Sequence, residues 1–530
     1  MSKKSLFLLI LILLIASFFR FWKLNEIPPG LYPDVAINGN EALESLKTGN
    51  FKLFYPENNG REGLMMWLIA LSFSIFGVSI LSIKIVAAII GILTVLGLYL
   101  LTNELFSFNS PTFQHSNIQT IIALLSSFFL AISFWHTNFS RIGFRAILLP
   151  FILVFSFYFL FKGFRTRKIL NFVISGIFFG LGFYTYISFR FAIFILPAIF
   201  SPFWFVYKKE KFQKKFLIHT SYFILFAFLV ALPLGIYFLK NPHDFIGRAA
   251  PISVFSAKNP IKEFFKSLIL HLAMFNFYGD PNWRHNFSGS PMLFWPVGIL
   301  FLIGLIFSIK DLINSLKTKN YSLCIINFLL LSWFFVMLLP GILTYEGIPH
   351  SLRVIGVIPV VYIFVALGAL KTYQFFEKNV KNKKLLIAAS ILFLIAIGFS
   401  EFDKYFLKWG KNKEVAGAFT ERFLKEGEFL ISLPKDIQKY VIVNESGVSV
   451  PYPDGIPMPA QTIMFVENSK YGEIKSNYLL PKDLDRIKID KKGVILLMAF
   501  DRNLANEISK KFPEGKIEER DGFGIIKINL

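Results

Sequence analysis

The amino-acid sequence predicts a polytopic α-helical membrane protein that ends in a small α/β domain. Of its 530 residues, 54% are hydrophobic and only 17% are charged, and the mean hydropathy is +0.56. A soluble domain carries about 25% charged residues. Many apolar runs approach the roughly 20 residues that cross the hydrocarbon core as a helix. The composition turns polar after about residue 400, which predicts a separate domain there.

We predict eleven membrane-spanning helices, taking about 20 apolar residues as the guide for each. They cover residues 5–22, 81–106, 119–137, 146–163, 170–188, 191–207, 216–239, 291–309, 321–341, 353–370 and 385–400. The first run follows Lys3 and Lys4, continues into aromatic residues and has no clear small-residue cleavage site. It therefore predicts a retained signal anchor rather than a cleaved signal peptide.

The predicted topology depends on whether the apolar segment 61–77 crosses the membrane. It is short enough to lie on the membrane surface instead. If it does not cross, the basic clusters at 164–168, 208–215, 310–319 and 377–384 share the side of the N-terminus. The positive-inside rule favours this arrangement. We therefore expect an integral plasma-membrane protein with a cytoplasmic N-terminus and a surface helix at 61–77. The expected external segments are 23–80, 138–146, 240–290, 342–352 and the tail 401–530.

These boundaries divide the chain into a transmembrane domain, 1–400, and an extracytoplasmic α/β domain, 401–530. In the tail, residues 428–434, 440–444 and 493–500 have the pattern of short strands, and 501–512 that of an amphipathic helix. The net charge of +22 lies mainly in the short loops, so topology explains it better than nucleic-acid binding. The single cysteine, Cys324, excludes an internal disulfide and a thiolate metal cluster.

The segment GLYPDVAINGNEAL, residues 30–43, places two carboxylates just after the first predicted span. Asp34 precedes a helical pattern, so it is a candidate N-cap as well as a candidate catalytic acid. Glu41 lies two turns later, where it is either a solvated side chain or part of a substrate cavity. Further along, YPENNGREGL places Arg61 and Glu62 at the start of the surface helix, where an acid suits the helix dipole. In the functional interpretation, the basic Arg61 and the acidic Glu62 lie beside the helix that carries Asp34.

Arginines occur in several short external segments, against the usual charge bias. The segment 134–147 contains His136, Arg141 and Arg145. Paired guanidinium donors suit a phosphate group, whereas contacts with lipid headgroups are the alternative. Similar positions at the ends of other predicted helices hold Tyr184, Tyr186, Arg190, Asp280, Trp283, Arg284, His285, His350 and Arg353.

Together, the external acids and arginines suit acid–base chemistry on a phosphate-bearing amphiphile. The candidate phosphate or donor ligands are Arg61, Arg141, Arg145, Arg190, His350 and Arg353. The candidate cavity residues are Glu41, Tyr184, Tyr186, Asp280, Trp283 and Arg284. Aromatic anchoring at the membrane interface is the alternative for each ring. No HExxH or DxD motif occurs where a metal would need it, so a divalent metal is left open and no other cofactor is expected.

The chain resembles the bacterial and archaeal relatives of the protein O-mannosyltransferases and the lipid A aminoarabinose transferases, which are C-type (GT-C) glycosyltransferases. The resemblance spans roughly residues 5–425. It rests on GLYPDVAINGNEAL, NNGREGL, WHTNFSRIGFRAILLPF, GLGFYTYISFRF, GDPNWRHNFSGSP, PHSLRVIG and YFLKWGKNKEVAGAF.

This resemblance implies the GT-C fold with juxtamembrane helices in the first external loop, and a polyprenyl-phosphate sugar as donor. The acceptor would be a protein, a lipid glycan or a cell-wall polymer. It also implies that Asp34 is the catalytic base. The family often has a second acid where this chain has Val35, and some members have an acid in the second loop. A two-carboxylate metal site therefore lacks its second ligand here, unless Glu62 supplies it.

Two other functions remain open from the sequence. A flippase or transporter of a lipid-linked sugar would share the arginines and aromatics, but it needs a site near the midplane of the membrane. A polymerase or ligase of diphosphate-linked glycans would also use external arginines. The candidate acids lie at helix ends on one predicted face, and Asp34 lies in a long first loop. These features favour the glycosyltransferase.

Overall fold

The computed structural model describes residues 2–107, 118–247, 249–318, 321–450 and 455–530. Lys319, part of one predicted basic cluster, lies outside these residues. The chain forms two compact units, each described by itself below. Unit 1 consists of Met1–Leu24 and Ala87–Trp409, and unit 2 of Asn25–Val86 and Gly410–Leu530. The domain boundary between residues 400 and 401 stays a prediction.

The described residues are mostly α-helical. In chain order the α-helices are α1 (Lys3–Phe21), α2 (Pro33–Thr48), α3 (Leu64–Phe76), α4 (Ile80–Ser107), α5 (Ile118–Ile132), α6 (Phe134–Phe139), α7 (Leu148–Thr166), α8 (Ile169–Gly182), α9 (Leu196–Lys209), α10 (Gln213–Lys240), α11 (Pro242–Ile246), α12 (Pro260–Ala273), α13 (Trp295–Thr318), α14 (Tyr321–Ile342), α15 (Ile358–Asn379), α16 (Lys383–Phe402), α17 (Lys413–Ala418), α18 (Glu421–Ser432), α19 (Ala460–Tyr471) and α20 (Arg502–Lys511). Short 3₁₀ segments occur at Arg145–Ile147, Ile187–Ile195, Ala250–Ile252, Val254–Ser256, Ile355–Val357 and Pro481–Arg486, and a π-helical segment at Asp403–Trp409.

Within the described residues, nine helical segments are long and apolar enough to cross a membrane. They are Lys3–Phe21, Ile80–Ser107, Arg145–Thr166, Ile187–Lys209, Gln213–Lys240, Trp295–Thr318, Leu323–Ile342, Ile355–Asn379 and Lys383–Trp409. Each of the nine coincides with a predicted span. The other two predicted spans, 119–137 and 170–188, contain the shorter apolar helices α5 and α8.

Local hydrogen bonding explains why the predicted span 119–137 is divided. The hydroxyl of Ser133 accepts a hydrogen bond from the backbone N–H of His136, so Ser133 starts a new short helix after Ile132. Residues 64–76 form a helix of 13 residues, about 20 Å long at 1.5 Å per residue. That length is less than the roughly 30 Å of the hydrocarbon core. A surface position for this helix stays a prediction, as does the orientation of the termini.

Helices α13 and α15 cross closely in unit 1, because glycines face backbone at their contact. A Cβ atom on Gly304 would lie 1.8 Å from the carbonyl oxygen of Phe364. A Cβ on Gly368 would lie 1.9 Å from the carbonyl oxygen of Leu300. Small residues let apolar helices approach closely in this way. In a membrane, where the hydrophobic effect does not drive helices together, such close packing stabilises their association.

In unit 2, strands β1 (Phe54–Tyr55) and β2 (Arg61–Glu62) form a short antiparallel pair. The C-terminal part of the unit is a mixed five-stranded sheet with helices. Its strands are β3 (Gln438–Ile442), β4 (Asn477–Leu479), β5 (Gly493–Leu497), β6 (Lys516–Arg520) and β7 (Phe523–Ile528), in the spatial order β4-β3-β5-β7-β6. The pairs β3–β4 and β3–β5 are parallel, whereas β5–β7 and β6–β7 are antiparallel. Alternate residues of the central strands enter two different apolar clusters, so the sheet is covered on both faces.

The structure corrects the strand predicted at 428–434, which lies mostly in helix α18. Phe423, Gly427 and Leu430 are buried at the three- and four-residue spacing of a helix face. A Cβ on Gly427 would lie 2.8 Å from the Cβ of Val466, so α18 packs closely on α19. The predicted strand at 440–444 overlaps β3, that at 493–500 contains β5, and α20 occupies 502–511 within the predicted helix.

The first long loop and the C-terminal tail pack together in unit 2. The carbonyl oxygen of Leu31 accepts hydrogen bonds from the hydroxyls of Thr420 and Thr462. Asn40, on α2, exchanges amide hydrogen bonds with Gln461 and Asn468 on α19. These contacts agree with the expectation that both segments lie on one side of the membrane.

The close crossing of α13 and α15 predicts that Gly368→Ala destabilises the protein by about 1–3 kcal/mol, because the added methyl group meets backbone. Thermal unfolding of the full chain in detergent measures this. Gly398→Ala, on the membrane-span candidate α16, is the matched control, since its Cβ would meet nothing closer than 3.9 Å. Equal melting temperatures for the two variants would contradict the packing described here.

Candidate active-site residues

Asp34 lies in the first turn of α2 and is half-buried. The N-cap of this helix is Tyr32, with Pro33 at the first helical position, so the interpretation of Asp34 as an N-cap is wrong. Oδ1 of Asp34 accepts a 2.9 Å hydrogen bond from the side-chain amide of Asn58. Within the described residues, Oδ2 has no hydrogen-bond partner. One oxygen of the carboxylate is thus held while the other keeps its acceptor capacity.

A left-handed turn at Asn58, Asn59 and Gly60 presents the Asn58 side chain to Asp34. All three residues have positive φ, at 52°, 62° and 86°. Asparagine tolerates this conformation better than most residues, and glycine adopts it without strain. A Cβ on Gly60 would also lie 2.5 Å from the Phe54 ring. The Asn-Asn-Gly sequence therefore fixes the group that orients the candidate base.

Arg61 and Glu41 form a buried ion pair 2.6 Å apart. The Arg61 side chain is fully buried and also donates to Oδ1 of Asn38 at 2.8 Å. Glu41 is 7% exposed, so its interpretation as a solvated residue is wrong. The pair joins α2 to β2 (Arg61–Glu62), which is paired with β1 (Phe54–Tyr55). It gives Arg61 a structural role in holding the 57–62 loop against α2.

Glu62 is 3% exposed and lies in β2. Helix α3 begins only at Leu64, after Gly63, so placing Glu62 in its first turn is wrong. A role for Glu62 as a second catalytic acid stays a prediction.

A cavity of about 230 Å³ lies in unit 2 between α2, the 52–57 segment and α19. Glu41, Glu57, Lys47 and Lys52 are among its lining residues. The Oε2 atoms of Glu41 and Glu57 are buried without a hydrogen-bond partner in the described structure. Burial raises the pKa of Glu41 to about 7, although the positive charge of Arg61 acts in the opposite direction.

Two arginines in unit 1 bind the ends of helices. The Arg141 guanidinium donates to the carbonyl oxygens of Phe19, Arg20, Trp22 and Lys23, at or just beyond the end of α1. Arg20 in turn donates to the carbonyl oxygens at the end of α5, at 2.6 Å for Ala131 and 3.3 Å for Leu130. Both arginine side chains are fully buried. Arg141 therefore has a structural role, and we leave it out of the candidate phosphate ligands.

His136 is also part of this buried arrangement. Its Nδ1 atom lies 2.7 Å from Nη2 of Arg20. A neutral His136 can accept at Nδ1 from the arginine. Arg20 was not among the residues selected from the sequence, although a charged residue inside an apolar run marks a buried contact or a function.

Arg145 and Arg353 both contact the segment that follows α8, Arg145 through its side chain and Arg353 through its backbone carbonyl. The guanidinium of Arg145 lies 5.3 Å from the centre of the Tyr186 ring. The Ser188 hydroxyl, two residues further on, donates to the carbonyl oxygen of Arg353 at 2.8 Å. The Arg353 guanidinium donates to Oγ1 of Thr344 and to the carbonyl oxygen of Glu346. Two arginines predicted from separate motifs thus contact one short segment, residues 186–188, one by its side chain and one by its backbone.

The remaining predicted arginines and aromatic residues make contacts that involve backbone carbonyls or other rings of unit 1. Arg190 donates to the carbonyl oxygen of Phe245 and stacks on that ring, with the guanidinium carbon 4.2 Å from its centre. The Tyr184 hydroxyl donates to the carbonyl oxygen of Val230 on α10. Trp283 and Arg284 are partly exposed, and their carbonyl oxygens accept from Trp409 and Asn138.

Asp280, His285 and His350 form one polar cluster in unit 1. Oδ2 of Asp280 lies 3.0 Å from Nδ1 of His285 and accepts from both the backbone N–H and the hydroxyl of Ser351. Burial would raise the pKa of Asp280, but His285, His350 and the N–H of Asn282 outweigh it and hold that pKa well below its usual value. His350 lies in the loop after α14, and its backbone N–H donates to Nε2 of His271.

Comparisons with known proteins place this geometry in a recognised fold. Residues 64–237 match the family model described as dolichyl-phosphate-mannose-protein mannosyltransferase. ArnT from Cupriavidus metallidurans bound to undecaprenyl phosphate is similar with a TM-score of 0.55 and 11% identity, over 100% of this chain and 99% of that chain. ArnT in the apo state gives a TM-score of 0.53 at 10% identity, over 99% and 98% of the two chains.

A third structure is similar over the whole of this chain. It is the archaeal oligosaccharyltransferase AglB from Archaeoglobus fulgidus in complex with an inhibitory peptide and a dolichol-phosphate. Its TM-score is 0.51 at 14% identity, with 74% of that chain covered. Among curated proteins, no sequence match was found. The comparisons confirm the resemblance to the C-type glycosyltransferases and the GT-C fold, and support an integral multi-pass membrane protein.

The buried Glu41 predicts a pH-dependent stability. Its pKa of about 7 in the folded chain lies above its ordinary value of 4.5, so the folded state holds the extra proton between these values. The contribution of Glu41 to stability therefore falls as pH rises from about 4.5 to about 7. We expect Glu41→Gln to remove this component from melting temperatures measured across that window. Glu44→Gln, on the exposed side of α2, should keep the wild-type dependence. The same dependence in all three proteins would contradict the assignment.

The capping role of Arg141 predicts that Arg141→Gln lowers stability by on the order of 3 kcal/mol, because it removes charge-assisted hydrogen bonds from a buried guanidinium to helix-end carbonyls. Arg167→Gln, which removes a partly exposed pair with Glu210, should cost at most about 1 kcal/mol. Thermal unfolding of the purified full chain compares the two. A wild-type melting temperature for Arg141→Gln, with sugar transfer lost, would instead indicate a direct role in substrate binding.

Proposed function

We propose that this protein is an integral membrane glycosyltransferase that moves a sugar from a polyprenyl-monophosphate donor to an acceptor hydroxyl. The observation that carries the proposal is the similarity to ArnT over nearly the full length of both chains, in a structure that contains undecaprenyl phosphate. The AglB structure contains a dolichol-phosphate, and the matched family model is named for a dolichyl-phosphate sugar. Three descriptions thus name one class of lipid phosphate.

Asp34 is the proposed general base. Its carboxylate is half-buried, oriented by Asn58 through one oxygen, and placed by a helix rather than by a loop. In the proposed step, Asp34 takes the proton of the acceptor hydroxyl as its oxygen bonds to the anomeric carbon. The bond from that carbon to the phosphate oxygen breaks, and the polyprenyl phosphate leaves with the electron pair. A single displacement of this kind inverts the anomeric centre.

Arg145 and Arg353 are the proposed ligands of the donor phosphate. Both contact residues 186–188, Arg145 through its side chain and Arg353 through its backbone carbonyl. In the proposed complex, their guanidinium groups would share the charge that grows on the leaving phosphate. Tyr186, beneath Arg145, is a candidate contact for the sugar or the first prenyl unit. The buried Arg61 and Arg141 are left out, because their donors bind a carboxylate, an amide and backbone carbonyls. Arg190 and His350 stay sequence predictions in this role.

The proposal predicts that Asp34→Asn lowers the rate of sugar transfer by about 10²–10⁴-fold, the usual contribution of a general base. The measurement is release of radiolabelled sugar from a panel of polyprenyl-monophosphate donors in membranes with matched expression. Asparagine keeps an oxygen that accepts from Asn58, so the fold should persist. Glu44→Gln, an exposed carboxylate on the same helix, is the matched control and should transfer at the wild-type rate.

Equal transfer by Asp34→Asn and wild type would overturn the role of Asp34. Loss of transfer in both Asp34→Asn and Glu44→Gln would show that removing any carboxylate from α2 abolishes activity. That result would also count against Asp34 as the general base. The melting temperature of each variant, measured beside its activity, separates a chemical defect from a folding defect.

A further inference from the structure

We infer that the cavity between α2, the 52–57 segment and α19 binds one sugar unit of a carbohydrate acceptor. Its volume of about 230 Å³ is below the roughly 300–1,000 Å³ of most ligand pockets, so it suits a single ring. The inference rests on the proposed transfer reaction and narrows the acceptor from a protein or a glycan to a glycan. All the residues that carry it belong to unit 2.

Two carboxylates that line the cavity have unused acceptor capacity. Oε2 of Glu41 and Oε2 of Glu57 are buried, and within the described residues neither has a hydrogen-bond partner. Arg61 donates to Oε1 of Glu41 at 2.6 Å but comes only within 4.0 Å of Oε2 of Glu57. A carboxylate accepts about four hydrogen bonds, and a buried acceptor without a partner costs free energy. The pair therefore favours a ligand that donates hydrogen bonds.

Hydrogen-bond donors line the same cavity. Lys47 uses one N–H on the carbonyl oxygen of Gly472, and an ammonium group has two more. Lys52 also lines the cavity, with its ammonium nitrogen 5.5 Å from the centre of the Tyr55 ring. Because a hydroxyl group both donates and accepts, a ligand with several hydroxyls matches a lining that mixes lysines and carboxylates.

The charges around the cavity favour a neutral ligand. Its three glutamates are balanced by Lys47, Lys52 and the Arg61 that pairs with Glu41. A phosphate or an ammonium ligand would leave one charge of this set without a counterpart, whereas hydroxyl groups leave the balance unchanged. A small, uncharged ligand that is rich in hydroxyl groups is a sugar.

The rest of the lining is apolar or held in place by the fold. Ile37, Leu43 and Val450 provide apolar surface, on which a sugar ring can pack its C–H face. Asn468 donates to Oδ1 of Asn40 at 2.9 Å, so the amides of these two lining residues are oriented before a ligand enters. Apolar surface with a few fixed polar groups is the usual composition of a small-molecule site.

Helix α2 connects the cavity to the proposed base. Glu41 follows Asp34 by seven residues, which places it on the same helix face and about 10 Å further along the axis. The 57–62 loop contacts both residues, through Asn58 at Asp34 and Arg61 at Glu41. An acceptor with its reacting hydroxyl at Asp34 must extend along α2 to occupy the cavity. An oligosaccharide has that length, so the cavity would hold a sugar unit other than the one that reacts.

Protection of a cysteine at the cavity tests the inference in the full-length protein. Thr48 lines the cavity and is exposed, and Thr48→Cys in a Cys324→Ser background gives one thiol there. The protein is placed in nanodiscs of phospholipid alone, because sugar-based detergents would compete. The probes are neutral trisaccharides of glucose, galactose or mannose, and a peptide with serine and threonine is the comparison. We expect a trisaccharide to slow maleimide labelling in a saturable way, and the peptide to leave it unchanged.

Ser432→Cys, at the exposed end of α18 and outside the cavity, is the matched control for labelling. Its rate should be the same with and without saccharide.

Carboxylate variants added to Thr48→Cys test the assigned contacts. Glu41→Gln keeps an acceptor for Arg61 but replaces the other oxygen by a donor. It should raise the half-protecting concentration about 10-fold, the usual effect of losing a hydrogen bond to a charged group. Glu57→Gln should act in the same way and decides the question if Glu41→Gln does not fold. Glu428→Gln, an exposed carboxylate on α18, should leave the concentration unchanged.

Three results would overturn the inference. They are labelling that no trisaccharide slows, protection by the peptide alone, and protection that is unchanged in the carboxylate variants that fold. The assay contains no donor lipid. Its failure is therefore distinguishable from failure of the proposed function, which the comparison of Asp34→Asn with wild type measures separately.

Discussion

The arrangement of unit 1 depends on two buried arginines that satisfy helix ends inside an apolar protein. Arg141 donates to carbonyls at the end of α1, and Arg20, on α1, donates to carbonyls at the end of α5. The last carbonyls of a helix have no partner within it and must find one elsewhere. A guanidinium group can bind several such carbonyls and also complements the negative end of the helix dipole. These contacts place His136 and the short helix α6 and, through the following turn, Arg145.

Buried polar groups also need partners in unit 2, where a carboxylate and side-chain amides supply them. The buried Arg61 is paired with Glu41, and the pair holds the 57–62 loop against α2. That loop then presents Asn58 to Asp34. The other side of α2 is held by α19 through the amides of Asn40, Gln461 and Asn468. The C-terminal domain thus helps to fix the helix that carries the proposed base, a role that its own sequence does not reveal.

Features with local causes could be predicted from the sequence. Apolar length predicted the long helices, and alternation predicted β3 and β5. Pairing over long distances could not be predicted, because a sequence does not show which charges meet. Arg61 and Arg141 resemble phosphate ligands in a loop sequence, yet each binds groups contributed by another segment. Glu41 has the spacing of an exposed helix position but is buried by Arg61. The strand predicted at 428–434 failed because a short apolar run in a charged setting also fits one helical face, and α19 supplies the surface that buries it.

The central claim is that the donor is a polyprenyl monophosphate. The most direct test is to reconstitute the full-length protein in liposomes and supply matched lipids that carry the same sugar through one phosphate or through two. The account predicts sugar release from the monophosphate lipid and none from the diphosphate, with inversion at the anomeric carbon of the product. Turnover of the diphosphate donor alone would contradict it and identify a polymerase or ligase. Movement of the intact donor across the bilayer without sugar release would contradict it in favour of a flippase.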